Sequence, residues 1–201
     1  MFKDIKKNEI LIIAGKDKIS KKLIFTINKE YKDIKILLDE TLNLKKIIKL
    51  FIKNKNVSIP FLISSFIGER LRKNYPIPKI AKFSNKEELI KILDEVRPKL
   101  IIVFRGSFIF TQEIIEKYKI INIHCADINN NKYKGLGSIF ISYHLKEQYP
   151  KISVHKIESN IDSGEILLSK DYKFNFEKPY RLNEDIAYEA GINLVIEILH
   201  N

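Results

Sequence analysis

The sequence contains a single cysteine, Cys125, among its 201 residues. One thiol cannot build an internal disulfide framework, and this cysteine usage is typical of a reducing cytoplasm, which is the location we expect. No apolar run approaches the ~20 residues of a membrane-spanning helix, so no membrane partner is predicted. The N-terminal residues are partly basic but lack an apolar stretch and a small-residue cleavage site, so we expect no signal peptide.

Arginine is scarce in a strongly basic chain. The formal net charge is +11, yet only five of the 36 basic residues are arginines, at positions 70, 72, 97, 105 and 181. Arginine provides most bidentate recognition of phosphates and bases, and no segment concentrates lysines with interleaved aromatic residues. We interpret the charge mainly as a solvated surface, which would also steer an anionic small substrate. No nucleic-acid partner is predicted, and a basic nucleic-acid-binding module is the less favoured alternative.

The remaining composition is that of a soluble globular protein, with 45% hydrophobic and 30% charged residues. The length suits one domain with a substantial core. Because no internal repeat, low-complexity tract or linker is found, a single domain over residues 1–201 is predicted.

Short apolar runs alternate with amphipathic segments along much of the chain. Buried strands are predicted at 10–14, 34–38, 57–66, 100–104 and 120–124, although a proline at position 60 is unusual inside a strand. Helices are predicted around 23–27, 44–51, 85–96 and 111–118, and Ser84 with Glu87 forms a capping box for the third. This order predicts an α/β fold with a Rossmann-like, doubly wound, mostly parallel sheet, which binds ligands beyond the carboxyl ends of its strands.

The last third of the chain has a different pattern. Strand-like runs at 153–158 and 165–172 are separated only by a loop around Asp162, and a helix is predicted over 183–199.

Two polar residues interrupt the apolar strand that ends near residue 124. Asn122 and His124 are two residues apart, so both side chains point to the same face of the sheet. An amide donor beside an imidazole suits a reaction that builds negative charge on a carbonyl oxygen. On spacing alone, the alternative that both side chains satisfy buried backbone groups is slightly favoured.

The segment that contains these residues resembles the folate-dependent formyltransferases. This family includes glycinamide ribonucleotide, methionyl-tRNA and nucleotide-sugar formyltransferases. The resemblance covers residues 98–168 and includes Asn-x-His at a strand end, a Lys-Gly loop, a Val-His-Lys strand and an Asp-x-Gly turn. In this sequence these are Asn122 and His124, Lys134-Gly135, Val154-His155-Lys156 and Asp162-Ser163-Gly164. The upstream half matches by topology only.

The resemblance implies a catalytic role for three residues. Asn122 would donate to the oxyanion formed when an amine attacks the formyl carbon, and His124 would be a second stabiliser and proton donor. Asp162 would orient His124 or an ordered water and receive the proton of the amine through it. The alternative for Asp162 is an Asx residue in the turn that continues to Ser163 and Gly164.

The resemblance also implies 10-formyltetrahydrofolate as the formyl donor, without a metal. The family holds the pterin mainly through backbone groups of two loops. The corresponding residues are Phe104, Arg105, Gly106, Ser107, Phe108 and Ile109 in one loop, and Glu158, Ser159, Asn160, Ile161 and Asp162 in the other.

The acceptor loop departs from the family pattern. The run from Cys125 to Lys134 lacks two expected prolines and is about two residues longer, and Lys134 replaces an arginine. Tyr133, Lys134 and Gly135 are the predicted acceptor-binding residues. Because this loop helps to shape the acceptor pocket, an unusual acceptor is expected.

The acceptor is predicted by elimination. Methionyl-tRNA enzymes have an additional C-terminal domain, for which this chain ends too early. Glycinamide ribonucleotide enzymes have a phosphate-binding Gly-Ser-Asn turn after the first strand, where residues 14–20 read AGKDKIS. The nucleotide-sugar formyltransferases are the best fit, which predicts a nucleotide-linked (dTDP-type) amino deoxysugar as the acceptor. Enzymes of this kind commonly form dimers, so a homodimer is a candidate assembly. A glycinamide ribonucleotide enzyme is the runner-up.

Other readings are less favoured. The same three residues can pass the formyl group to water in a hydrolase, and the altered loop permits a non-catalytic folate- or nucleotide-binding relic. Cys125 points away from His124, which argues against a thiol nucleophile. His144, His155 and His200 have no metal-ligand spacing with a carboxylate, so no metal site is predicted.

Overall fold

The computed structural model describes residues 5–42 and 58–200, and within them seven strands form one sheet. The strands lie in the order β3-β2-β1-β4-β5-β6-β7. Their bounds are β1 Ile10–Gly15, β2 Lys35–Asp39, β3 Ala81–Phe83, β4 Leu100–Phe104, β5 Ile120–His124, β6 Lys151–Lys156 and β7 Ile166–Asp171. Strands β1 to β5 are parallel, and β6 runs antiparallel to both β5 and β7.

Six α-helices connect or follow the described strands. They are α1 Lys18–Glu30, α2 Ile59–Leu71, α3 Lys86–Val96, α4 Gln112–Lys117, α5 Ser138–His144 and α6 Tyr180–His200. A short 3-10 turn, Asn131–Tyr133, lies between β5 and α5. No helix in the described part of the chain is long and apolar enough to cross a membrane.

The central strands β1 and β4 are buried on both faces, which explains their continuous apolar sequences. Ile12, Ile102 and Ile121 pack with α1 and α6 on one face. Leu11 and Ile101 pack on the other, with α3 and α4. The predicted doubly wound α/β fold is confirmed, and the strand order reverses between β1 and β4, where such folds open a crevice.

The predicted strand at 57–66 is wrong. From Ile59 onward these residues begin α2, with Ser58 as its N-cap and Pro60 in its first turn, where a missing N–H costs no hydrogen bond. The helix has large apolar side chains on its surface, including Ile63 and Phe66. In the sequence, these exposed apolar residues cannot be distinguished from the apolar residues of a buried strand. Val57 and the predicted helix at 44–51 lie outside the described residues.

Two smaller differences concern the edge of the sheet. The short strand β3 was not predicted. The cap of α3 is Asn85, whose Oδ1 accepts from the amide of Glu88 at 2.9 Å, one residue later than expected. Ser84 instead donates its amide and hydroxyl to the carboxylate of Glu88.

Candidate active site

The predicted pair of polar residues lies at the carboxyl end of β5. Ile121 and Ile123 are buried against the α6 side of the sheet. Alternation along the strand therefore turns Asn122 and His124 to the opposite face, as the spacing predicted.

The antiparallel strand β6 brings a second histidine to this face. His155 pairs in register with Asn122, and its side chain is only 2% exposed. Its Nδ1 lies 2.8 Å from the carbonyl of Lys156, so Nδ1–H donates there. The amide Nδ2 of Asn122 can only donate, so Nε2 of His155 accepts from it at 3.1 Å. His155 thus fixes the direction of the Asn122 amide.

The loop between β6 and β7 places Asp162 between the two histidines. Its Oδ2 is 3.5 Å from His124 Nδ1, and its Oδ1 is 3.4 Å from His155 Nε2. The amide of Gly135 also donates to Oδ2 at 2.7 Å. Asp162 adopts the left-handed conformation, with φ of 49°. Its carboxylate thus contacts three other segments, and the three predicted catalytic residues converge at one point.

The Asp162 carboxylate is ionised at neutral pH. Burial acts to raise its pKa, but the contact with His155, the proximity of His124 and the hydrogen bond from the Gly135 amide outweigh burial and hold the pKa at about 2. A fixed negative charge therefore lies beside both imidazole rings.

His124 is held in its neutral form. Burial lowers its pKa below the usual value, while the Asp162 carboxylate and the Tyr133 carbonyl act in the opposite direction. Nε2 lies 2.7 Å from the Tyr133 carbonyl and donates to it. The lone pair of the neutral ring is then on Nδ1, facing Asp162. A proton that arrives at Nδ1 would be stabilised by the carboxylate.

The predicted acceptor-binding residues border the same point. The side chain of Tyr133 is 5% exposed, so its carbonyl is the group that reaches His124. Gly135 has φ of 74° and contributes its amide. Lys134 and Asp162 line a surface cavity of about 320 Å³, together with Ile128, Asn129 and residues 163–166.

The first predicted donor loop follows β4 directly. Phe104 is fully buried. The Arg105 guanidinium pairs at 2.8 Å with Asp17, the N-cap of α1, and lies over the ring of Tyr188 in α6. Both residues would therefore contribute backbone groups. Further on, Ser107 and Phe108 donate their amides to Asp39, and Ile109 is 58% exposed at the tip.

The second predicted donor loop follows β6. Ile161 is 60% exposed, and Glu158 is also at the surface. Ile157 and Phe108 pack against the same apolar cluster, on the face of the sheet to which Asn122 points. The two loops therefore border the same side of the sheet.

Two site residues were given no role from the sequence alone. His155 lies within the Val-His-Lys motif, but its contact with Asn122 depends on the antiparallel register of β6. Asp39 ends β2. In the sequence, the available signal was an aspartate directly after the predicted strand 34–38.

Cys125 is buried in the core on the α6 side, and burial raises the pKa of its thiol to about 12. This agrees with its predicted orientation away from His124. Within residues 5–42 and 58–200 no group of three or more metal-ligating side chains is found.

No protein-family model matches the chain. Among curated proteins, the methionyl-tRNA formyltransferase of Caldicellulosiruptor saccharolyticus is 26% identical over 133 residues, which cover 65% of this chain and 42% of the relative. That of Rickettsia massiliae is 25% identical over 131 residues, 63% of this chain and 42% of the relative. The chain thus spans about two fifths of the length of the curated relatives it matches.

Solved structures share the fold at low sequence identity. The phosphoribosylglycinamide formyltransferase of Streptococcus pneumoniae has a TM-score of 0.63 at 15% identity, covering 95% of this chain and 96% of that chain. A Mycobacterium tuberculosis protein proposed to be a sugar N-formyltransferase has a TM-score of 0.63 at 14% identity, covering 94% of this chain and 64% of that chain. HypX of Aquifex aeolicus, solved with tetrahydrofolic acid, has a TM-score of 0.61 at 13% identity, covering 96% of this chain and 26% of that chain. The sequence relatives and the shared fold confirm the predicted family resemblance.

Proposed function

We propose that this chain, a relative of the folate-dependent formyltransferases in sequence and in fold, moves a formyl group from 10-formyltetrahydrofolate to a primary amine. The observation that carries the proposal is the convergence of Asn122, His124 and Asp162 at the carboxyl end of β5. The match to a family signature and a burial-tuned imidazole support it further.

Asn122 is the proposed oxyanion donor. One of its two amide hydrogens is bound by His155, so the second has a fixed direction. As the amine attacks the formyl carbon, the carbonyl oxygen becomes an oxyanion. A donor oriented in advance stabilises this charge without reorganisation.

His124 and Asp162 suit the transfer of the amine's proton. Nucleophilic attack leaves a positive charge on the amine nitrogen, and a base must remove one proton before the folate nitrogen departs. Neutral His124 can accept that proton at Nδ1, directly or through water, and ionised Asp162 stabilises the imidazolium. His124 then passes this proton to the folate nitrogen as the bond between that nitrogen and the formyl carbon breaks.

For the acceptor we propose a nucleotide-linked amino deoxysugar. Lys134 lies in the wall of the cavity beside Asp162, where it would attract an anionic substrate. The turn after β1 already holds a carboxylate, because Asp17 caps α1 and pairs with Arg105. Oδ1 of Asp17 accepts from the amide of Ser20, which is therefore not available to bind a phosphate at this turn, as in glycinamide ribonucleotide enzymes. Methionyl-tRNA is the second candidate, because the sequence relatives are methionyl-tRNA formyltransferases.

The test is turnover of 10-formyltetrahydrofolate with separate acceptors: dTDP-linked amino sugars, glycinamide ribonucleotide, methionyl-tRNA, and no amine. Formyl transfer to an amino sugar is the expected result. Formate release without an amine would indicate a hydrolase, and transfer only to one of the other acceptors would overturn the proposed substrate.

A further inference from the structure

Asp39 is a buried carboxylate outside the proposed catalytic set. It is the last residue of β2 and is 1% exposed. In the sheet, β1 separates β2 from β4. The side chain therefore reaches across the end of β1 to the loop that follows β4.

Both oxygens of this carboxylate are occupied by hydrogen bonds. Oδ1 accepts from the amide of Thr41 at 2.8 Å and from its hydroxyl at 2.7 Å. Oδ2 accepts from the amides of Ser107 and Phe108, the second at 2.8 Å, and from the Ser107 hydroxyl at 3.1 Å. A buried carboxylate with this many donors is well satisfied.

The loop packs closely against this carboxylate. A Cβ atom at Gly106 would lie 2.8 Å from Val103 Cγ1 and 3.5 Å from Asp39 Oδ2, so only glycine fits without a shift. The Phe108 ring packs edge-on against Phe83 and Phe110. The two amides held by Asp39 directly precede the exposed tip at Ile109.

We propose that Asp39 is a positioning residue that sets the shape of the donor-binding loop, an inference that rests on the proposed function. The carboxylate fixes two consecutive peptide groups next to the tip. A pterin bound at this tip is then recognised by backbone groups whose directions are set before binding, which reduces the ordering cost of association. Asp39 acts through the loop and does not touch the reacting atoms.

The test is Asp39→Asn, which keeps the shape of the side chain but removes its charge and faces an amide group towards N–H donors. We expect the KM for 10-formyltetrahydrofolate to rise about tenfold or more, the change that follows from loss of one charge-assisted hydrogen bond. The kcat and the KM for the amine should stay within about twofold, a split that general misfolding would not produce.

The matched control is Asp33→Asn, the same change at an exposed residue just before β2. Its donor KM should equal that of the wild type. Thr41→Val is the milder variant in case Asp39→Asn does not fold, because it removes one hydroxyl donor and no charge. A donor-only rise of about threefold is expected for it.

Titration of each variant with tetrahydrofolate separates the two proposals. A wild type that does not bind tetrahydrofolate contradicts the proposed function and this inference with it. A wild type that binds, with unchanged donor KM in both Asp39→Asn and Thr41→Val, contradicts the inference alone. Equal increases in the donor and amine KM would also overturn it, because the loop would then have no specific role for the donor.

Discussion

Asn122 has two amide hydrogens, and one of them points at the Nε2 atom of His155. The acceptor state of Nε2 follows from Nδ1, which donates to the carbonyl of Lys156. At the scale of single residues, the reactivity proposed for Asn122 therefore depends on a histidine 33 positions later in the chain. Asn122 was predicted from its spacing to His124 and from the family resemblance, whereas His155 was noted only as part of a motif, without a role.

Replacement of Asn122 by alanine removes the proposed oxyanion donor. We expect kcat to fall by about 10²- to 10³-fold, the usual loss for such a donor, while loss of the hydrogen bond to buried His155 should lower the free energy of unfolding by about 1 to 3 kcal/mol. Steady-state turnover and thermal unfolding measure the two effects. Asn193→Ala, at an exposed position of α6, is the matched control and should keep full activity. Near-normal turnover of Asn122→Ala would remove this residue from the mechanism.

The stability of the protein should decrease on acidification. The pKa of His124 is lowered in the folded state and that of Asp162 is held at about 2, so the unfolded chain binds protons first as pH falls. His124 contributes to this loss below its unfolded pKa of 6.5, and Asp162 contributes between about 4 and 2.

Urea unfolding at pH 7.5 and 5.5 tests the first of these contributions. His124→Gln cannot take up a proton, so its unfolding free energy should change less between the two pH values than that of the wild type. An identical change in both proteins would show that His124 is not kept neutral by burial.

At the scale of elements, the sequence predicted those strands whose apolar residues are buried on both faces. The runs at 10–14 and 100–104 match β1 and β4 because a doubly covered strand requires continuous apolar residues. Helix α2 was not predicted because its apolar side chains, Ile63 and Phe66 among them, lie at the surface. The sequence does not show whether an apolar run is exposed or covered by other elements, so this run was predicted as a buried strand.

The turn between β6 and β7 depends on Gly164. A Cβ atom at this position would lie 1.9 Å from the carbonyl oxygen of Lys156, the same oxygen that accepts from His155. Gly164→Ala should therefore displace both His155 and Asp162. We expect a loss of about 2 kcal/mol or more in the free energy of unfolding, together with loss of turnover.

Ser163→Ala provides the comparison within the same turn, since it removes a single exposed hydrogen bond to Asn160. Its loss of unfolding free energy should stay below about 1 kcal/mol. Equal stability of the two variants in urea unfolding would mean that the turn adapts to a side chain at residue 164.

At the scale of the whole molecule, a buried ion pair joins α2 to α6. Arg72, at the end of α2, contacts Glu184 and Asp185, and the Arg72 and Glu184 side chains are 7% and 3% exposed. Arg72→Met would leave the Glu184 carboxylate buried without its partner. We expect a loss of about 3 to 5 kcal/mol in the free energy of unfolding, measured in urea.

Arg181→Met is the control, because Arg181 is 30% exposed and pairs with Asp185 inside α6. It should cost less than about 1 kcal/mol. Similar losses for the two arginines would show that burial of the Arg72 pair does not stabilise the packing of these helices.

The site itself is a property of the whole fold. Asn122 and His124 could be located from one strand, because alternation along a strand is local. Asp162 was placed by its order in a family signature, and its approach to both histidines depends on β6 lying antiparallel to β5. His155 and Asp39 act through contacts between segments far apart in sequence, which a single sequence does not show.

Formyl transfer by this site is tested by the mass of an amine acceptor incubated with 10-formyltetrahydrofolate and either the wild type or Asp162→Asn. The wild type should add one formyl group to a nucleotide-linked amino sugar. With the variant, whose neutral side chain cannot stabilise protonated His124, the acceptor mass should stay almost unchanged. Equal formylation by both proteins, or none by the folded wild type with any amine, would contradict the proposed role of this site.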